Sequence, residues 1–117
     1  MKTVSIWLAA GLALLPLCSA QAQTVATGAK GMTLYTYDKD AAGKSACYAD
    51  CAKTWPPYLV SSKPAEKMPK GWTEVTRKGG DKQWAYDAKP VYYFSGDKKA
   101  GQTSGDGMGG VWHVITH

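Results

Sequence analysis

The chain has 117 residues, with 14 lysines and arginines against 9 acids for a formal net charge of +5. Its first 22 residues read as a cleavable leader, leaving 95 residues for one small domain, because two would each be too short to bury a core. The charge is mild and dispersed, which argues for solubility and against nucleic-acid binding. Twelve aromatic side chains in the mature part argue against disorder, a coiled coil or a large multi-step enzyme.

The leader carries Lys2, an apolar run from Ile6 to Leu17, and Ala20-Gln21-Ala22, whose small residues suit signal peptidase cleavage before Gln23. The run is too short for a permanent transmembrane helix. Cys18 raises the question of a lipid anchor, but Pro16 and Leu17 are poor upstream residues for that processing, so a soluble exported product is favoured.

From Gln23 to Lys30 the chain is a polar lead-in, an edge strand or loose arm. Met32 to Tyr37 alternates as a half-buried strand, and Asp38 to Lys44 is a connection ending near Gly43. Ser45 to Thr54 suits one short helix with Ser45 as its N-cap, stopped by Trp55-Pro56-Pro57. Ser61 to Gly71, with Pro64 and Pro69, reads as an exposed loop. Hairpin signals follow: Trp72–Arg77, a turn at Lys78–Asp81, Gln83–Tyr86, a turn at Asp87–Pro90, and Val91–Phe94. Ser95 to Gly110 is a glycine-rich loop, and Val111 to Ile115 a last strand. The predicted fold is mainly β, a small α+β domain with an antiparallel sheet and one short helix around residues 45–54.

An internal repeat organises this pattern. Tyr35-x-Tyr37-x-x-Asp40 returns 57 positions later as Tyr92-x-Phe94-x-x-Asp97, and Trp55 returns as Trp112 in the same register. Two degenerate repeats, at about 31–58 and 89–115, are therefore expected. In a strand Tyr35 and Tyr37 share a face, as do Tyr92 and Phe94, so each pair can stack into a shared core with Trp55 and Trp112. Asp40 and Asp97 are placed to accept backbone N–H bonds and pin their loops. This reading stands ahead of an acid/base or metal pair, since nothing in the sequence brings the two together.

The chain resembles the bacterial family described as a secreted repeat of unknown function, also described as predicted lipoproteins with a Yx(FWY)xxD motif. The resemblance rests on Tyr35-x-Tyr37-x-x-Asp40, Cys47-Tyr48-Ala49-Asp50-Cys51-Ala52 leading to Trp55-Pro56-Pro57, and Gln83-Trp84-Ala85-Tyr86. It continues through Lys89–Asp97 to Gly109-Gly110-Val111-Trp112. It implies an export route and a fold, without an activity.

Cys47 and Cys51 are the only cysteines after processing, and in an oxidising compartment they are expected to form a disulfide closing a loop worth about 2 kcal/mol. Residues four apart in a regular helix meet only near the long limit of bridging distance, so a distorted turn is expected. Three intervening residues depart from a thioredoxin-type pair. A soft-metal site built from Met32, Met68, Met108, His113, His117 and the cysteines lacks the usual ligand spacings, so no metal and no cofactor are expected. No nucleophile–base pair is visible, and the chain is read as non-catalytic. Lysines 63, 67, 70, 98 and 99 are most simply a solvated surface that could meet anionic envelope polymers. The resulting expectation is a periplasmic or secreted monomer that binds a small ligand or an envelope component. Trp84, taken as an exposed aromatic beside the Ser95–Gly110 loop, and Met108 within that loop are the candidate platform. The alternative is a thiol redox or soft-metal-handling protein using Cys47 and Cys51.

Overall fold

The computed structural model describes residues 24–63 and 68–116; the leader, including Cys18, and also Lys67 and His117 lie outside them. Five strands, β1 (Tyr35–Tyr37), β2 (Trp72–Thr76), β3 (Lys82–Tyr86), β4 (Lys89–Tyr92) and β5 (Trp112–Val114), form one antiparallel sheet in the order β2-β3-β4-β1-β5. The single α-helix, α1, spans Asp50–Thr54. The protein is mostly β.

The duplication is visible in the register. Tyr35 of β1 lies opposite Tyr92 of β4, so equivalent residues face each other across a local two-fold. Each repeat then hands its last segment to the other. Val114 pairs with Tyr35, and the equivalent Pro57 bridges to Tyr92. The backbone bonds repeat accordingly: Asp38 N–H to Val111 C=O and Ser95 N–H to Thr54 C=O are both 2.8 Å, while Ile115 N–H to Leu34 C=O is 3.2 Å and Tyr58 N–H to Val91 C=O is 3.0 Å.

The repeat reaches further towards the N-terminus than the 57-residue motif alone reveals. Val25 bridges to Thr116 and Thr27 to Thr33, matching the bridge from Leu59 to Gln83 and the pairing of Ala85 with Pro90. The lead-in is thus the first repeat's counterpart of β3. Ala26 N–H donates to Ile115 C=O at 2.7 Å as Trp84 N–H donates to Tyr58 C=O at 2.8 Å.

Several boundaries differ from the sequence expectation: β1 starts at Tyr35 instead of Met32, β4 ends at Tyr92 instead of Phe94, and β5 is only Trp112–Val114. The helix starts at Asp50, because Ala49 adopts a positive φ of 53° and Ser45 points its hydroxyl at the Gln83 side chain instead of capping. The turn after β3 contains only Asp87 and Ala88, both left-handed (φ 52° and 68°), so Lys89 and Pro90 belong to β4. That is the geometry of a two-residue type I′ hairpin.

The core has two parts. One holds Ala26, Leu34, Tyr58, Trp84, Val91 and Ile115. The other holds Tyr35, Cys47, Trp55, Tyr92 and Trp112, flanked by Tyr37, Cys51, Phe94, Val111 and Val114. Both contain repeat-related pairs, so the two halves are built around shared interiors.

Candidate functional site

The motif residues meet across the two-fold. Tyr35 donates its phenolic O–H to Asp97 Oδ2 at 2.7 Å, and Tyr92 donates to Asp40 Oδ2 at 2.8 Å. Each tyrosine is satisfied by the aspartate of the other repeat. The second oxygen of each carboxylate holds its own loop: Asp97 Oδ1 accepts from Ser104 N–H at 2.9 Å, and Asp40 Oδ1 from Ala46 N–H at 2.6 Å. A carboxylate that accepts one bond from its own loop and one from the opposite repeat couples loop closure to repeat pairing.

Between these pairs the indoles of Trp55 and Trp112 lie face to face, centroids 3.8 Å apart and planes within 2°. Tyr37 continues the stack on Trp112 at 4.1 Å, and Phe94 continues it on Trp55 at 4.4 Å. Tyr35 meets the edge of Trp55 at 5.2 Å, and Tyr92 that of Trp112 at 5.3 Å. The result is a four-ring column flanked by two tyrosine–aspartate pairs. Burial is the main cause that raises both phenols above their usual range, reinforced by the aspartates; Tyr92 is pushed up to about 12. Burial also raises the Asp40 carboxyl, against the lowering effect of its bonds to Tyr92 and Ala46 and of the Arg77 charge.

Around Asp40 a polar chain continues inward. The Ser45 hydroxyl bonds Gln83 Oε1, which also accepts from Arg77 Nη1 at 2.8 Å, while Gln83 Nε2 donates to Val91 C=O at 2.8 Å. Arg77 Nη2 donates to Cys47 C=O at 2.7 Å, and its guanidinium lies 4.3 Å from the Tyr48 ring centroid. Arg77 is buried, and nothing in the sequence marked it. Its position follows from the strand end after β2, which directs it under the Cys47 loop.

Cys47 and Cys51 are joined as a disulfide, with Cα atoms 5.2 Å apart. Cys47 precedes the helix and Cys51 lies in its first turn, so the bridge does not have to span a regular helical turn. Cys47 is fully buried, whereas Cys51 is half-buried. His113 Nε2 lies 2.8 Å from Asp38 Oδ2 at the surface. Among the described residues no three His, Cys, Asp or Glu side chains gather as a metal-ligand group.

The candidate platform needs correction at Trp84. Its indole is 2% exposed, packed in the first core, and donates Nε1–H to Lys63 C=O at 3.2 Å. It faces inward because its register partner in the first repeat is the buried Ala26. Met108 is exposed at 44%, on a tight turn at Met108–Gly110. The Ser95–Gly110 loop around it is fastened by Asp97, by Gly107 N–H to Trp112 C=O at 2.7 Å, and by Gly101 N–H to Gly31 C=O at 3.0 Å.

A concave site occurs elsewhere. A cavity of about 360 Å³ opens beside the lead-in strand, walled by Ala26, Tyr58, Met68, Trp72 and Tyr86, with Lys63 and Lys70 among its lining residues. The small Ala26 stands there where the second repeat carries Trp84. Sequence reasoning missed this site because its aromatics come from three separated segments. The one available signal was the mismatch of alanine and tryptophan at equivalent strand positions.

The fold and its exchanged contacts define a class of β proteins made of two interlocked repeats. The family model described as a secreted repeat of unknown function matches residues 23–58 and 73–116, and the chain belongs to that family. Each matched segment contains one structural repeat, lead-in strand included, and the second also takes in most of β2. The family is described as secreted, which agrees with an exported protein, and among the described residues no helix is long and apolar enough to cross a membrane. Neither a curated protein nor a solved structure matches the chain.

Proposed function

We propose that the protein is an exported, non-catalytic binding module, monomeric and periplasmic or secreted, whose ligand is a small amphipathic anion taken into the cavity beside the lead-in strand. The observation that carries this reading is the cavity itself: three aromatic walls and a methionine for an apolar body, with two lysines to meet a negative head group. Sites of this size with a mostly apolar lining and a few charged groups are the usual form of small-molecule pockets. The excess of lysine and arginine over acids favours approach of an anion at low salt.

The probe is anilinonaphthalene sulfonate, an aromatic anion whose fluorescence rises on apolar burial. The folded protein is expected to bind it saturably. Trp72→Ala should weaken binding by about tenfold, equivalent to 1.4 kcal/mol. Lys63→Glu with Lys70→Glu should weaken it comparably while the melting temperature stays unchanged, and Met108→Ala should leave it alone. Binding that ignores all of these changes would reject the cavity as the site.

A second reading, thiol exchange at Cys47 and Cys51, is supported by the partial exposure of Cys51 beside its buried partner. Reversible titration by a mild dithiol with little loss of stability would favour it. Resistance to reduction until the protein melts would favour a structural bridge.

A further inference from the structure

The two repeats differ at the outer edge of one strand. Along a strand the N–H and C=O groups of successive residues point to alternate edges. Ala26 turns both of its groups inward, N–H to Ile115 C=O at 2.7 Å and C=O to Leu34 N–H at 3.0 Å, so those of Val25 and Thr27 point to the outer edge. Among the described residues Val25 and Thr27 make no backbone hydrogen bond, and Thr27 is exposed. In the second repeat the equivalent residues, Gln83 and Ala85, are covered, because they lie opposite Val75 and Thr73 of β2. At the same spacing a counterpart of β2 would fall at residues 14–18, inside the expected leader that export removes.

We infer that this open edge accepts a strand from a peptide partner, in the place that β2 holds on the second repeat; this rests on the cavity proposed above and names the class of its ligand. The partner is an extended segment with an apolar side chain and a carboxylate two residues apart. Opposed residues of antiparallel strands present their side chains to one face, as do residues two apart on one strand. A guest residue opposite Ala26 therefore projects over the cavity, into the volume that Trp84 fills in the second repeat. A carboxylate two positions away stays on that face, where Lys63 and Lys70 are among the lining residues.

Two observations favour a strand as the occupant. Thr24, Val25, Ala26 and Thr27 all line the cavity. Alternate side chains of a strand point to opposite faces, so a cavity that touches four consecutive residues meets the strand along its edge. The molecule also carries an example of the guest. In β2 the sequence Trp72-Thr73-Glu74 sets an aromatic ring and a carboxylate at the required spacing, and Trp72 packs against the first core. Strand addition of this kind draws affinity from main-chain hydrogen bonds and selectivity from pockets under alternate side chains.

The test uses the protein purified after export and two probes: the acetylated, amidated peptide Trp-Thr-Glu-Val-Thr, copied from Trp72–Thr76, and anilinonaphthalene sulfonate. The peptide is expected to slow amide exchange at Val25 and Thr27 and to displace the dye. Methylating its nitrogens at the positions of Thr73 and Val75, which face the host strand in β2, should weaken it by about tenfold, the scale of a lost hydrogen bond. Thr27→Pro removes an outward N–H that makes no bond in the fold, so it should weaken the peptide by about the same factor and leave dye binding unchanged. A peptide that fails to bind while the dye binds, or that binds without slowing exchange at Val25 and Thr27, would overturn the strand edge and leave the cavity reading standing. Failure of both probes would remove the cavity reading as well. A dimer in sedimentation, with Val25 and Thr27 already protected before peptide is added, would overturn the peptide partner by giving the edge to a second copy. The exchange and methylated-peptide measurements need no variant, so misfolding of Thr27→Pro leaves the test intact.

Discussion

The two repeats solve the same problem with different chemistry. Both must fasten a loop that carries an aspartate beneath the partner's tyrosine. In the first repeat the loop from Asp40 is closed by the Cys47–Cys51 disulfide, with Arg77 gripping the Cys47 carbonyl from below. In the second, Gly105 follows the Asp97-bound Ser104 as Cys47 follows the Asp40-bound Ala46, one residue beyond the 57-position register, and no cysteine is present. There the closure is made by Gly105 N–H to the Tyr35 hydroxyl at 3.2 Å and by Asp106 Oδ1 accepting from Val114 N–H at 3.1 Å. The comparison shows which parts of the repeat are interchangeable. The tyrosine, the aspartate and the tryptophan are kept in both halves because each reaches across the two-fold. The loop fastener is not kept: it is covalent in the first half, and in the second it is made of hydrogen bonds, one of them to Tyr35 of the other half.

The largest expected effects lie on the shared elements. Trp55→Ala and Trp112→Ala should each cost about 3–5 kcal/mol, the range for removing a buried large aromatic. Because the two rings contact each other, the double variant should lose clearly less than the sum, as double-mutant cycles read for coupled neighbours. Denaturant unfolding of the three variants checks this; additive losses would mean that the indoles do not share one stack. Next comes the covalent fastener. Replacing Cys47 and Cys51 by alanine should cost about 2 kcal/mol from the small loop released. Hydrogen exchange should then rise at Ala46 while Ser104 stays protected, since the second repeat's loop is closed independently. Equal loss of protection in both loops would show that the fasteners are not local.

The glycine that replaces Cys47 offers the reverse experiment. A Cβ on Gly105 would stand 2.6 Å from the Trp55 ring and 3.0 Å from Phe94. Gly105→Ala should therefore destabilise by about 1–3 kcal/mol, as overpacking does. A melting temperature unchanged from the parent would mean that the stack can slide to admit a methyl group, and that the tight fit of the second repeat is not enforced.

The sequence made the repeat, the strand sequence and the disulfide legible because each leaves a local signature: alternation, a fixed 57-position register, two cysteines in an exported chain. The partners of the motif residues were not legible. Tyr35 with Asp97 and Tyr92 with Asp40 are separated by 62 and 52 positions, and a register alone does not tell whether equivalent groups pair within a repeat or between repeats. Trp84 illustrates the other limit. Its strand, Lys82–Tyr86, is buried through three successive residues, Gln83, Trp84 and Ala85, so alternation could not say which face was wet. The side chain went inward because the first repeat contributes only Ala26 at that level, leaving volume for one large ring.

The turn before each repeat's central strand gives the smallest contrast and the cleanest test of local conformation. In the first repeat the lead-in turns through Lys30 and Gly31, with φ of 59° and 75°, so one of its two left-handed positions is a glycine. In the second repeat the hairpin between β3 and β4 is tighter, and its left-handed positions are Asp87 and Ala88. Aspartate tolerates that region by local hydrogen bonding, whereas alanine pays about 1–2 kcal/mol for its Cβ there. Glycine removes that penalty but gives back part of the gain through the greater freedom of the unfolded chain. Ala88→Gly, which creates the Asp-Gly pair favoured in type I′ hairpins, should therefore stabilise the protein by about 0.5 kcal/mol. Gly31→Ala should do the opposite, since its φ is left-handed and its Cβ would sit 3.1 Å from the Ala100 methyl. Paired thermal melts of the two variants read both signs at once. A destabilised Ala88→Gly would mean that the second hairpin gains more from a stiff unfolded chain than it loses at its turn.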